Sequence, residues 1–138
     1  MNAPENRSRS PGFTHALVID DDSFMLDLLK DMLKGFGVPR VSLAGDGVQG
    51  FKIYESTNPP PDLVICDLNM PKRDGFQLME LLAEKGRDCA VILVSGMPSR
   101  VINSAALMGR LHHLKVLGTL EKPFDRSALA ALLTKQFQ

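Results

Sequence analysis

The chain has no excess of charge, no long apolar run and very little cysteine. Lys+Arg and Asp+Glu both number 16 in 138 residues, so the formal net charge is zero. That balance gives no general attraction to nucleic acid or to an anionic membrane surface. No apolar stretch approaches the roughly 20 residues that span a bilayer, and the first residues carry no apolar signal segment. The two cysteines, Cys66 and Cys89, form no CxxC pair and no disulfide framework. Buried free thiols in a reducing cytoplasm are the expectation. There is no internal repeat, and the length suits one domain with a real core rather than two. These absences leave a soluble, cytoplasmic, single-domain protein as the expectation.

What is present begins with a polar leader. Residues 1–13, rich in Ser, Arg, Asn and Pro, read as disordered, with the folded domain at 14–138. Strand-like and helix-like segments then alternate five times. The strands are expected at 16–20, 40–44, 62–66, 90–94 and 116–120. Met25, Leu28, Leu29, Met32, Leu33 and Phe36 recur at helical spacing, with Asp22 or Ser23 as cap and Gly35 or Gly37 as stop. A second helix, about 46–56, is weakened by Gly47 and Gly50 and broken by Asn58-Pro59-Pro60-Pro61. A third starts near Asp74 with Leu78, Leu81 and Leu82 on one face. A fourth follows Pro98, turning Ile102, Ala105, Ala106 and Gly109 inward, and a fifth opens at Asp125 with Leu129, Leu132 and Leu133 as its stripe. Strict alternation with short loops implies a parallel sheet with helices on both faces. Five units suit an open, doubly wound sheet, since a closed barrel takes eight.

The chemistry gathers at the strand ends. Leu63-Val64-Ile65-Cys66 runs into Asp67, and Ala16-Leu17-Val18-Ile19 runs into Asp20-Asp21-Asp22. Short apolar runs cut off by polar residues read as buried parallel strands, and ligands of such sheets bind outside the carboxyl ends. The carboxylates therefore pool in one crevice. Their mutual repulsion calls for protonation, solvation or a cation, and a hard divalent ion such as magnesium suits oxygen ligands. The fourth strand end adds Ser95-Gly96 and the fifth Lys122-Pro123-Phe124. Carboxylates, a hydroxyl and an ammonium together suit phosphoryl transfer to a carboxylate, which forms an acyl phosphate.

These residues resemble the receiver domain of two-component response regulators. The motifs are Val18-Ile19-Asp20-Asp21, Asp67-Leu68-Asn69-Met70-Pro71 with Asp74-Gly75, Val94-Ser95-Gly96 and Lys122-Pro123-Phe124, and they span about 14–137. The resemblance implies a flavodoxin-like (βα)5 fold with strand order 2-1-3-4-5. It implies that Asp67 accepts a phosphoryl group from a sensor histidine kinase or phosphotransfer protein, and that the only catalysis is the domain's own phosphorylation and dephosphorylation. Mg2+ would be held by Asp21 directly, by Asp20 through a water, by Asp67, and by the backbone carbonyl of Asn69. Ser95 matches the switch hydroxyl, Lys122 the lysine that pairs with the acyl phosphate, and the Lys122–Pro123 peptide is cis in the family. Two features depart from the pattern. Thr119 stands where the family usually has a switch aromatic. Ser95 and Lys122 lie 27 positions apart, a longer span than in short members. The extra residues fall around Met108 to Lys115, and this segment, running into Val116 to Pro123, resembles receivers attached to cyclic-di-GMP phosphodiesterase domains, which suggests an output partner of that kind. Neither direct nucleic-acid binding nor membrane attachment is expected.

Simpler roles compete for each residue. Asp22 serves as a helix cap, but three aspartates in a row exceed what capping needs. His112 and His113 are adjacent, point about 100° apart on a helix, and read as surface residues. A haloacid-dehalogenase-like phosphatase would place its nucleophile at Asp20, within Asp20-Asp21-Asp22. It would leave Asp67-Leu68-Asn69-Met70-Pro71 unexplained and lacks an acidic pair after Lys122. A receiver-like module that binds a partner without phosphate is the third reading, kept open by Thr119.

Overall fold

The computed structural model describes residues 12–68, 74–84, 89–96 and 114–134. The strands are β1 (His15–Ile19), β2 (Arg40–Ala44), β3 (Leu63–Asp67), β4 (Ala90–Ser95) and β5 (Lys115–Glu121). The helices are α1 (Ser23–Gly35), α2 (Gly47–Ser56), α3 (Asp74–Glu84) and α4 (Arg126–Leu133). The strands form one parallel sheet in the order β2-β1-β3-β4-β5, the order that the resemblance implies. The expected fourth helix after Pro98 lies outside the described residues, as do Asn69, Met70, Pro71, His112 and His113.

Burial follows position in the sheet. The three central strands β1, β3 and β4 are buried along their whole length, while β2 and β5 at the edges are partly exposed. Side chains alternate between two clusters, as a period of two requires. Leu17, Ile19, Val64, Cys66, Val91 and Leu93 pack with residues of α2 and α3. Ala16, Val18, Leu63, Ile65, Ile92 and Val94 pack with residues of α1 and α4. The sheet is therefore covered on both sides, α2 and α3 on one and α1 and α4 on the other.

Local chemistry sets the helix ends. Asp22 caps α1, its carboxylate accepting from the backbone N of Phe24 at 3.0 Å, and Gly37 with φ +97° follows the last turn, the left-handed residue that commonly stops a helix. Asp46 caps α2 through the N–H of Gln49 at 2.8 Å, and Asp125 caps α4 through that of Ala128 at 3.0 Å. Gly50, unfavourable for a helix by propensity, has a packing role. A Cβ there would sit 2.8 Å from Cδ1 of Ile19, so glycine lets α2 lie close against β1. In α3 the inward residues are Leu78, Met79 and Leu82, whereas Leu81 is 39% exposed. The expected stripe was off by one neighbour, because the buried arc of α3 is centred between Leu78 and Leu82.

Candidate functional site

Strand ends deliver the acidic residues. Asp67 is the last residue of β3, Asp20 follows β1 directly and Ser95 ends β4. Three backbone bonds continue the ladders past the strands. Asp20 N donates to Ala44 O at 3.1 Å, Leu68 N to Val94 O at 2.8 Å and Lys122 N to Ser95 O at 2.8 Å. Each one fixes the backbone beside a functional side chain.

Asp20, Asp67 and Ser95 are almost wholly buried, at 1%, 3% and 1% exposure, while Asp21 is exposed. One carboxylate oxygen from each of Asp20, Asp21 and Asp67 lies within 4.8 Å of the others. Nζ of Lys122 reaches over them, 3.1 Å from Asp67 Oδ2 and 3.4 Å from Asp20 Oδ2. The other Asp20 oxygen accepts from the N–H of Asp22 at 2.9 Å. The same residue that caps α1 thus also steadies Asp20, a double use that the sequence did not disclose.

The electrostatics follow. Burial pushes the Asp20 carboxyl up to about 6, the Asp22 N–H opposes this, and the neighbouring charge of Asp67 adds to it. Burial on its own would lower the pKa of the Lys122 ammonium. Its hydrogen bond to Asp67, and the charges of Asp67 and Asp20, outweigh that and raise it. Lys122 therefore stays a cation and partly offsets the carboxylates. A three-carboxylate set of hard oxygens fits a divalent cation such as magnesium. Cys66, beside Asp67 in β3, does not take part as a thiolate, because burial first and the Asp67 and Asp20 charges next hold its thiol far above the ordinary range. Cys66 and Cys89 are both buried thiols outside any disulfide, as expected.

The expected residues Asp20, Asp21, Asp67, Ser95 and Lys122 thus converge at the carboxyl ends of β1, β3, β4 and β5. Asn69, expected to offer its backbone carbonyl, lies outside the described residues. The Lys122–Pro123 peptide is cis, as is Asn58–Pro59. Thr119 is half-buried and stands opposite Leu93 in the register.

A doubly wound parallel sheet with an acidic crevice and a lysine at its carboxyl edge defines a phosphate-handling class of α/β domain. The chain belongs to the response regulator receiver domain family, whose model matches residues 16–134. A probable chemotaxis protein CheY of Rhizobium etli is 33% identical over 88% of this chain and 90% of its own length. Among solved structures, a response regulator receiver domain protein from Clostridium thermocellum aligns with a TM-score of 0.74 at 26% identity, covering 88% of this chain and 92% of that one. The CheY of a CheX–CheY–BeF3–Mg complex from Borrelia burgdorferi aligns at 0.75 and 24% identity, covering 91% and 90%. The general function of this family is that of a phosphoaccepting switch in two-component signalling. No helix among the described residues is long and apolar enough to cross a membrane.

Proposed function

We propose that Asp67 is the phosphoacceptor of this domain, 14–138, and that Asp20, Asp21 and Asp67, with the backbone carbonyl of Asn69, hold a magnesium ion. The observation that carries the reading is Lys122, whose ammonium lies 3.1 Å from the buried Asp67 and 3.4 Å from the buried Asp20, with Ser95 at the end of the neighbouring strand. A carboxylate oxygen of Asp67 attacks the phosphorus of a phosphohistidine on a sensor kinase or phosphotransfer protein. The P–O bond forms as the P–N bond breaks, and the imidazole leaves with that electron pair. Lys122 and the Ser95 hydroxyl take phosphoryl oxygens, replacing solvent with fixed donors. When bound, magnesium supplies charge neutralisation for the incoming phosphoryl oxygens.

In this reading the domain catalyses only its own phosphorylation and dephosphorylation, acts in the cytoplasm, and passes its state to an output domain or partner protein. Zero net charge supports a role without direct contact to nucleic acid or membrane. Incubation with magnesium and acetyl phosphate, followed by intact mass, tests it beside Asp67→Asn and Asp20→Asn. One added phosphoryl group on the wild type and none on Asp67→Asn is the expected result. An adduct that survives in Asp67→Asn and vanishes in Asp20→Asn would move the nucleophile to Asp20.

A further inference from the structure

Strand β5 contains one residue too many. Lys115 and Val116 pair with Ala90 and Val91, but the next pair is Ile92 with Gly118, so Leu117 is inserted as a bulge. The insertion reconciles two packing demands. Leu117 and Leu120, three apart, are both buried in the cluster with α1 and α4, while Val116 packs against the opposite cluster. A regular strand would set Leu117 and Leu120 on opposite faces.

The bulge also sets where Lys122 emerges. Downstream of it, Gly118 to Glu121 pair one-to-one with Ile92 to Ser95, and Lys122 N then donates to Ser95 O at 2.8 Å. Had the pairing of Val116 continued without interruption, Leu120 would stand opposite Ser95. Lys122 would then leave the sheet one residue later, roughly 3.3 Å further along and turned to the other face. Its ammonium would no longer reach Asp67 and Asp20.

Gly118 is the residue that permits this geometry. Its φ is +155°, a conformation that L side chains rarely adopt, and a Cβ there would lie 2.6 Å from Cδ2 of Leu132 in α4. Any side chain forces Leu132 to move within a packed cluster or the strand to give way. We propose that Gly118 is a positioning residue for the phosphorylation site, holding the one-residue bulge of β5 that delivers Lys122 to Asp67 and Asp20. Bulges next to active sites commonly re-aim a side chain in this manner. The role rests on the function assigned above to Lys122.

The test is the rate of phosphorylation by acetyl phosphate with magnesium, read by intact mass, for the wild type, Gly118→Ala, Lys122→Ala and the double variant. Urea unfolding checks that each is folded. Losing one donor aimed at developing charge costs about 10²–10³ in rate, so Gly118→Ala is expected to slow the reaction by at least about tenfold. It should add no further loss once Lys122 is alanine. A merely structural glycine would cost the same factor in both backgrounds, and that outcome overturns the proposal. Should Gly118→Ala unfold, Gly118→Ala with Leu132→Ala is compared with Leu132→Ala alone. The collision is then gone and the φ requirement remains, so the double variant should stay slower while Lys122 is present; equal rates overturn the proposal. A wild type that takes no phosphoryl group overturns the reading of the site and this role with it. A phosphorylated wild type matched in rate by Gly118→Ala overturns the role of Gly118 alone.

Discussion

Burying Asp20 beside Asp67 creates a local instability that Lys122 offsets only in part, since the Asp20 carboxyl remains pushed up to about 6 by burial, with the Asp67 charge adding. A folded-state pKa above the unfolded value means the folded protein holds the proton more tightly, so stability falls as pH rises through about 6. Asp20→Asn in metal-free buffer should therefore stabilise the domain at pH 7 by about 1–3 kcal/mol. Urea midpoints measured from pH 7 down to 4 should show that gain shrinking below about 6. A constant gain across the range would mean that Asp20 is not titrating there.

His15 has the opposite sign. It is 5% exposed, its Nε2 lies 2.8 Å from the hydroxyl of Ser42, and Nδ1 is buried without a hydrogen-bond partner among the described residues. Burial and then the Arg40 charge lower its pKa, against the pull of Asp62. The unfolded chain then takes up the proton first, so stability is full above about 6.5 and declines as pH falls below it. His15→Gln should become more stable relative to the wild type as pH drops from 7 to 5; parallel curves would refute this. The residues of the crevice were legible in the sequence because each follows an apolar strand run. The pairing of His15 with Ser42, and the Asp62 carboxylate that accepts from the backbone of Thr14 and His15, carry no local signal. They join residues 27 to 48 positions apart.

Among the elements, α2 illustrates where propensity and packing part company. Gly50 lowers helix propensity by about 1 kcal/mol relative to alanine, so an isolated helix would gain from Gly50→Ala. In the fold the new methyl would meet Ile19 at 2.8 Å and Leu78 at 3.4 Å, and overpacking a tight core costs about 1–3 kcal/mol. The variant should be neutral to destabilised, with a lower urea midpoint, and a raised midpoint would show that Ile19 yields freely. The existence and type of these elements were readable from periodicity and caps. Their ends moved by about one residue, with β1 at 15–19 and β3 at 63–67 against expected spans of 16–20 and 62–66. The bulge at Leu117 was missed because a strand pattern with one insertion resembles a shorter regular strand, and only the pairing with β4 reveals the extra residue.

For the whole molecule, the strand order matters more than any single contact. Running β1 and β3 side by side in parallel brings Asp20 and Asp67 together although they are far apart in sequence, and β5 at the edge swings Lys122 over both. The folded chain alone assembles this set, so a cation held by Asp20, Asp21 and Asp67 binds the native state and not the unfolded one. Such binding stabilises by RT ln(1+[L]/Kd), about 2.7 kcal/mol at one hundred times Kd. For a domain of this size that is a rise in melting temperature on the order of 10 °C. Magnesium should produce it, and Asp21→Asn, which removes the exposed ligand while leaving the buried pair with Lys122 intact, should lose most of the rise. A wild-type melting temperature unmoved by saturating magnesium would exclude the carboxylate cluster as its site. A rise kept in full by Asp21→Asn would leave Asp20 and Asp67 as ligands and remove Asp21 from the set.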